Sequence, residues 1–406
     1  MDRFSTSNWR QFWSLDSSVM FLNHGSFGAC PIPVLEAQQQ FRQQLERQPV
    51  RFFVRDGEAL LDGARARLAA FLGANPEDLA FVPNATTGVN TVLRSLSFHA
   101  EDELLTINHG YNACRNALQF VADRFGARVI VAEIPFPVNS AEEIVTAVMR
   151  CVSPRTKLVL LDHITSPTAL VLPISELVRQ LNERGVETLV DGAHALGMLP
   201  LNLRELGATY YAGNCHKWLC APKGSGFLYV RHDRHDNIRP LTISHGANAS
   251  RTDRSRFHLE FDWVGTDDPT PYLCIPEAID FMGSRLPGGW TELMARNHQM
   301  AIAVRQLLCE TLEVSPPCPE SMLGAMAAVP LPNLPRSSTQ SGVYIDPLQN
   351  ALHDRFNIEI PVTFSPPNSR RWLRISSQLY NTLEDYKFLV SALVELKKTG
   401  ESSNPK

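Results

Sequence analysis

Three short stretches hold residue types that could perform covalent chemistry together. The first is Gly213-Asn214-Cys215-His216-Lys217-Trp218, directly after the apolar run 209–212. A lysine at the end of a buried strand is partly desolvated, which lowers its pKa and leaves a free amine for Schiff-base formation. The ordinary alternative is a solvated surface lysine. Lys223 lies close by, but in the turn-like Pro222-Lys223-Gly224-Ser225-Gly226, so Lys217 is preferred. The second stretch, Asp191-Gly192-Ala193-His194, closes an apolar run ending at Val190. A carboxylate there is costly unless paired, and a protonated ring nitrogen would pair it, with Gly and Ala leaving room for a flat ligand. Taken alone, Asp191 is equally a cap for the next helix, with His194 on a backbone carbonyl. The third stretch is Asn84-Ala85-Thr86-Thr87-Gly88-Val89-Asn90, directly after the run 79–82. Small residues, two hydroxyls and a helix N-terminus suit a phosphate, although a plain N-cap has the same composition.

These stretches need a scaffold. Residues 58–72 read as an amphipathic helix with Leu61, Leu68 and Leu72 among its apolar positions and Gly73 as its stop. Short apolar runs at 79–82, 103–107, 128–132, 157–161, 188–190, 209–212 and 226–230 are mostly separated by helix-length connectors. Such runs predict an α/β fold with a mostly parallel sheet buried on both faces, and ligands beyond the carboxyl ends of its strands. After about residue 245 the chain becomes irregular and Pro-rich, as in Ser315-Pro316-Pro317-Cys318-Pro319, with leucine-rich helical stretches at 301–311 and 383–398. The expected division is a large domain over 25–250, a smaller α+β domain from 1–24 plus 251–398, and a polar tail over 399–406.

Composition narrows the function. Among 406 residues, 38 Lys+Arg against 42 Asp+Glu leave a formal net charge of −4. That balance argues against a nucleic-acid surface and a polybasic membrane patch. No apolar run reaches the roughly 18 residues of a membrane helix. The first residues lack the apolar core of a signal peptide. Eight scattered cysteines without a C-x-x-C pair indicate neither a disulfide scaffold nor a zinc ribbon. His232 and His235 lie in a polar, turn-like stretch, and no metal is expected. No G-x-G-x-x-G follows the first apolar run, against a nicotinamide enzyme. A cytoplasmic α/β enzyme is the expectation.

Phosphate donors, a carboxylate for a ring nitrogen and an imine-forming lysine are the three attachments that pyridoxal 5′-phosphate requires. With these motifs in that order, the chain resembles the class V aminotransferase family of fold-type I enzymes, and within it the isopenicillin N epimerase-like branch. The resemblance also includes Phe21-Leu22-Asn23-His24-Gly25-Ser26-Phe27-Gly28, Asp162-His163-Ile164-Thr165-Ser166-Pro167-Thr168, Gly324-Ala325-Met326-Ala327 and residues 371–382. It implies the three-layer αβα fold of pyridoxal-phosphate-dependent transferases, with a mostly parallel seven-stranded sheet and a smaller α+β C-terminal domain. It implies that Lys217 forms the cofactor aldimine and moves protons at the substrate α-carbon, while Asp191 keeps the pyridine nitrogen protonated and His194 faces the phenolic oxygen. Thr86, Thr87, Asn214 and His216 match phosphate ligands. Tyr111 is the expected ring-stacking residue, with His109 the alternative.

The resemblance further implies that Thr266, beside Gly265, reaches the phosphate of a neighbouring subunit, which makes the enzyme a homodimer with a shared site. Arg374 matches the arginine that holds a substrate carboxylate, and Asn23 and His24 are expected either to touch an amino-acid or peptide-like substrate or to serve a structural role. Related desulfurases carry a nucleophilic cysteine shortly before that arginine. Here residues 359–367 contain none, and Cys318 is the nearest upstream, which argues against persulfide chemistry. Cys215 and Cys220 read as packing residues. Arg51 and Arg55 could favour a second substrate carboxylate or be plainly solvated. Epimerisation, transamination and β-elimination share Lys217, Asp191 and Arg374, so these residues do not choose among them. A non-catalytic cofactor-binding module is the remote alternative.

Overall fold

The computed structural model describes residues 8–332, 346–365 and 370–399; the polar tail lies beyond them from residue 400. The central sheet contains β1 (Leu79–Val82), β2 (Glu103–Ile107), β3 (Arg128–Ala132), β4 (Thr156–Asp162), β5 (Glu187–Gly192), β6 (Tyr210–Asn214) and β7 (Gly226–Val230). Each of the seven apolar runs is one of these strands. Their spatial order is β1-β7-β6-β5-β4-β2-β3. β7 runs antiparallel to both its neighbours, and every other adjacent pair is parallel.

The strands read as unbroken apolar runs because both faces are covered. Successive side chains leave a strand on opposite sides. Leu79 and Phe81 join one core with Leu68 and Leu72, while Ala80 and Val82 join the other with Val89, Val92 and Leu118. The first of those cores lies under α1 (Ile32–Arg47) and α2 (Gly57–Leu72), the second under α3 (Ala85–Ser95) and α4 (Asn112–Phe125). The result is a three-layer αβα fold. α2 stops where expected, with Gly73 left-handed at φ 60° and its N–H on the Ala69 carbonyl. Edge strand β3 is the least buried, with Ala132 its one fully covered residue.

A smaller antiparallel sheet follows, in the order β9-β10-β8: β8 (Met326–Pro330), β9 (Val362–Ser365) and β10 (Arg370–Ser376). Helix α5 (Gly289–Leu312) packs on it, and α6 (Leu383–Thr399) packs on α5. The short strand Met20–Phe21 pairs in parallel with Ile358–Glu359, which ties the N-terminal segment to the C-terminal half. One expectation needs correction. Composition places residues from 251 onward in the small domain, yet Arg256–Phe261 packs on β1, and Ile275–Gly283 packs on α1 and α2. The segment is irregular in sequence, but Phe257 and Phe261 complete one large-domain core and Ile275 and Ile279 the other.

Candidate active site

The carboxyl ends of β1, β2, β4, β5 and β6 share one edge of the sheet, where an open-sheet α/β fold places its ligand. A cavity of about 500 Å³ opens there, lined by Asn84, Thr86, Tyr111, Asp191, His194 and Lys217 among others. Three stretches far apart in sequence therefore meet at one place.

Lys217 sits on the loop that turns β6 into antiparallel β7. The loop is closed by the Cys215 and His216 N–H groups, which donate to the Ser225 carbonyl at 3.0 and 3.2 Å. The Lys217 carbonyl accepts from Cys220 N–H at 3.1 Å and lies 3.0 Å from His24 Nε2. With its backbone fixed on both sides, the lysine places Nζ 3.2 Å from His194 Nε2. Trp218 Nε1–H donates to His194 Nδ1 at 3.4 Å. An indole nitrogen only donates, so Nδ1 accepts and a neutral His194 carries its proton on Nε2. That proton faces Lys217 Nζ, which can accept it only as a free amine. Burial, and then the positive charge of Arg374, pushes Lys217 down to about 8, while burial holds His194 well below its ordinary range. The free amine is the nucleophilic form. Below about pH 8 its fraction falls roughly tenfold per unit. Cofactor capture by apoprotein, followed as growth of visible absorbance, should therefore accelerate with pH and level off above about 8, not near an ordinary lysine value.

The register of β4 and β5 sets Asp162 beside Asp191. Asp191 Oδ1 accepts from Ala193 N–H at 3.0 Å and Oδ2 from the Cys114 thiol at 3.1 Å; Asp162 Oδ2 accepts from Tyr111 N–H at 3.1 Å. Two adjacent buried carboxylates do not both ionise cheaply. Burial and the Asp191 charge raise Asp162 well above the carboxylate range. Burial raises Asp191 as well, so the pair favours a single negative charge, with Asp162 the more readily protonated member. Sequence reasoning did not assign either Asp162 or Cys114 to the site. Asp162 had a signal, since it ends an apolar run as Asp191 does; Cys114, inside a helix, had none.

The third wall is the start of α3. Asn84 caps it, its Oδ1 accepting from Thr87 N–H at 2.9 Å with Thr87 Oγ1 3.1 Å away. Ala85 N–H donates to Asn214 Oδ1 at 2.8 Å, so that carbonyl positions the turn. Thr86 and His216 line the cavity, whereas the Thr87 hydroxyl turns to its cap. Gly88 lets α3 approach β6, because a Cβ there would lie 2.8 Å from that of Ala212. A capped helix N-terminus for a dianion, a buried carboxylate for a cationic ring nitrogen and a free amine together fit pyridoxal 5′-phosphate. When bound, that cofactor supplies the electron sink for a negative charge developing at a substrate α-carbon.

Tyr111 lines the cavity, 43% exposed. His109 does not: it is buried, 2.8 Å from Thr168 Oγ1 and edge-on to Phe136. Arg374 stands behind the wall, its Nη1 donating to the Ser166 carbonyl and Nη2 to Ser26 Oγ, both at 2.8 Å, and both serines line the cavity. For Asn23 and His24 the geometry favours the structural role over substrate contact. Asn23 is buried with Nδ2 donating to Glu359 Oε1 at 3.0 Å and Oδ1 accepting from Ser26 Oγ at 2.6 Å. His24 is buried with Nδ1 2.7 Å from the Tyr380 hydroxyl and Nε2 on the Lys217 carbonyl, so neither lies on the cavity wall. Thr266 is exposed on a loop away from this cavity. Lys223 shares the lining, but Lys217 is the lysine that meets His194. Cys215 and Cys220 are buried outside the lining, Arg51 pairs with Asp56, and Arg55 is exposed.

The N-terminal segment reaches the lysine loop through Gly28, whose φ of +70° is left-handed. A Cβ there would lie 2.2 Å from the His216 carbonyl oxygen and 2.9 Å from Lys217 Cα. Gly28→Ala should cost about 2–4 kcal/mol from backbone strain and overpacking together, read as a lower denaturant midpoint with slower cofactor capture.

Comparison with known proteins agrees with this geometry. Residues 22–314 match the family described as Aminotransferase class-V. The isopenicillin N epimerase of Amycolatopsis lactamdurans is 38% identical over 409 residues, covering 97% of this chain and 98% of that protein. A probable chloroplastic L-cysteine desulfhydrase of Arabidopsis thaliana is 31% identical, covering 96% and 85%. In fold, the chain is similar to the apo cysteine desulfurase of Thermococcus onnurineus, with a TM-score of 0.79 at 20% identity, covering 98% and 100%. It is also similar to the cystine C–S lyase C-DES, with a TM-score of 0.75 at 22% identity, covering 93% and 97%. A cavity built for pyridoxal phosphate, in a chain that matches these relatives along nearly its whole length, makes this protein a pyridoxal-phosphate-dependent enzyme belonging to the class-V aminotransferase family.

Proposed function

We propose that the enzyme is an epimerase, which removes and returns the proton on the α-carbon of an amino-acid or peptide-like substrate. The observation that carries this reading is Lys217 Nζ, 3.2 Å from His194 Nε2 on the wall of the cavity that Asp191 also lines, with burial lowering its pKa to about 8. In this reading Lys217 takes and returns the proton, and His194 orients it. Asp191 holds a negative charge opposite the ring nitrogen. Thr86, Asn214 and His216 form the phosphate end, Thr87 holds the Asn84 cap beside it, and Tyr111 covers the ring. Arg374 receives the substrate carboxylate by exchanging its contacts to Ser26 and Ser166, a two-pronged recognition suited to a guanidinium. His24 is a positioning residue for Lys217, and Asn23 one for Arg374. Two relatives named isopenicillin N epimerase, at 38% and 36% identity, support the reaction. The absence of cysteine from residues 359–367 weighs against a persulfide route.

The experiment is incubation of holoenzyme with isopenicillin N, L-cysteine and an amino-acid panel in deuterated water. Deuterium at the α-carbon with inversion and no keto acid is the expected result. Sulfide and pyruvate from L-cysteine would instead establish the second reading, a C–S β-lyase, which the desulfhydrase relative favours. Keto acid with aminated cofactor would establish a transaminase. No exchange with any compound would overturn α-carbon chemistry.

The working unit in this proposal is a homodimer in which Thr266 of one subunit reaches the phosphate end of the other. Exposed apolar side chains at Val54, Leu241 and Val264, which line one surface cavity, and at Ile243, close by in sequence, support it, since exposed apolar surface marks an interface. Ile243→Asp protein that sediments as a monomer, against a dimeric parent, is the expected outcome. All eight cysteines are free thiols, which suits a reducing compartment such as the cytoplasm. Among the described residues, no helix is long and apolar enough to cross a membrane.

A further inference from the structure

A second constellation lies at the opposite end of the sheet from Lys217. Asp78 directly precedes β1, and His232 and His235 occupy a 3₁₀ turn just after β7. Because β1 and β7 are antiparallel, with Leu79 opposite Tyr229, the start of one strand meets the end of the other. Asp78 is buried, and its Oδ1 accepts no hydrogen bond of acceptable geometry among the described residues. Two imidazole nitrogens nevertheless converge on that oxygen, His235 Nε2 at 3.2 Å and His232 Nδ1 at 3.4 Å. The three ligand atoms all lie within 4.8 Å of one another.

We propose that Asp78, His232 and His235 form a binding site for a divalent first-row transition cation of the zinc type. Two imidazoles and one carboxylate are the donor set such ions prefer, whereas calcium and magnesium take oxygen ligands. Zinc bonds of about 2.0–2.1 Å put tetrahedral ligand atoms roughly 3.3 Å apart, and the two distances to Asp78 match that edge. His232 is 79% exposed in its side chain and free to rotate in to close the remaining side, while His235 is held by stacking on Phe257. In the metal-free form His235 Nε2 lies 3.0 Å from the Val230 carbonyl, to which it donates. Binding shifts the neutral ring to its Nδ1–H tautomer by proton exchange with solvent, breaks the hydrogen bond to Val230 and gives the Nε2 lone pair to the metal. Solvent completes the shell on the exposed His232 side. The ion would clamp the turn before edge strand β1 to the turn after β7, which is a structural site outside the cofactor cavity.

The sequence contains the two histidines as an unremarkable pair. The third ligand comes from a distant turn, which only the strand pairing brings near. The test uses cofactor-loaded protein, freed of metal with EDTA and dialysed against Zn²⁺. One equivalent bound per chain, with a raised melting temperature, is expected. His232→Ala removes an exposed ligand without disturbing the core, and should weaken uptake roughly tenfold or more while leaving the metal-free melting temperature and the cofactor absorbance unchanged. No uptake by the parent protein, or equal uptake by His232→Ala, overturns the site and leaves only a close histidine–aspartate contact in its place.

Discussion

Lys217→Ala protein is expected to lose at least about four orders of magnitude in kcat, roughly 5.5 kcal/mol of transition-state stabilisation. The loss is large because one side chain supplies two functions, the amine that captures the cofactor and the base that moves the α-proton. Among the described residues the surrounding structure gives no substitute. His194 Nε2 lies 3.2 Å from Nζ but is directed by Trp218 and held neutral by burial. Lys223 lines the same cavity but lies in a different turn. Folding should be little affected, since the backbone of the loop is held by Ser225, Cys220 and His24 and not by the lysine side chain. Two measurements separate the functions. Borohydride reduction should fix cofactor to the parent protein and not to Lys217→Ala. An added small amine should restore some cofactor-dependent proton exchange in the variant. A variant that retains a borohydride-reducible visible band would show that another lysine carries the chemistry.

Asp191→Asn is expected to lower kcat by about 10³, near 4 kcal/mol, with little change in stability. The replacement keeps the shape and the acceptor for Ala193 N–H but removes the one negative charge of the Asp162–Asp191 pair. A buried carboxylate is strong electrostatically because the surrounding medium screens it poorly. Its loss leaves a ring nitrogen with no reason to stay protonated, and the electron sink weakens. Asp162→Asn provides the contrast. Asp162 is the member held further above the carboxylate range, so an amide of the same shape disturbs the charge of the pair little, and the loss should stay below about tenfold. Equal losses in the two variants, measured as kcat under saturating substrate, would mean that the charge is shared and that the assignment to Asp191 is wrong.

Much of this site was legible before any coordinates because its parts are local. Lys217 and Asp191 each follow an apolar run too short for a helix and too apolar for a surface strand, and Thr86 follows another. In a parallel sheet buried on both faces, such a run is a strand, and the residue just after it lies on the ligand-binding edge. Gly73 ended α2 for an equally local reason, since only glycine enters the left-handed region without cost. The boundary near residue 251 misled because a change in composition tracks loop content, whereas Phe257 and Ile275 pack by shape and apolar area.

The sequence by itself determined the strands of the sheet, their burial, and the amine, carboxylate and hydroxyls at their ends, because hydrophobic period and turn chemistry act within a few residues. Tertiary structure alone decided what those groups face. The pairing of β4 with β5 joined Asp162 to Asp191, the fold of the N-terminal segment placed His24 on the Lys217 carbonyl and Asn23 behind Ser26, and the β1–β7 register carried Asp78 to His232 and His235. Such contacts join residues far apart in the chain. They arise from closing a sheet and packing its layers, which no local pattern of residues records.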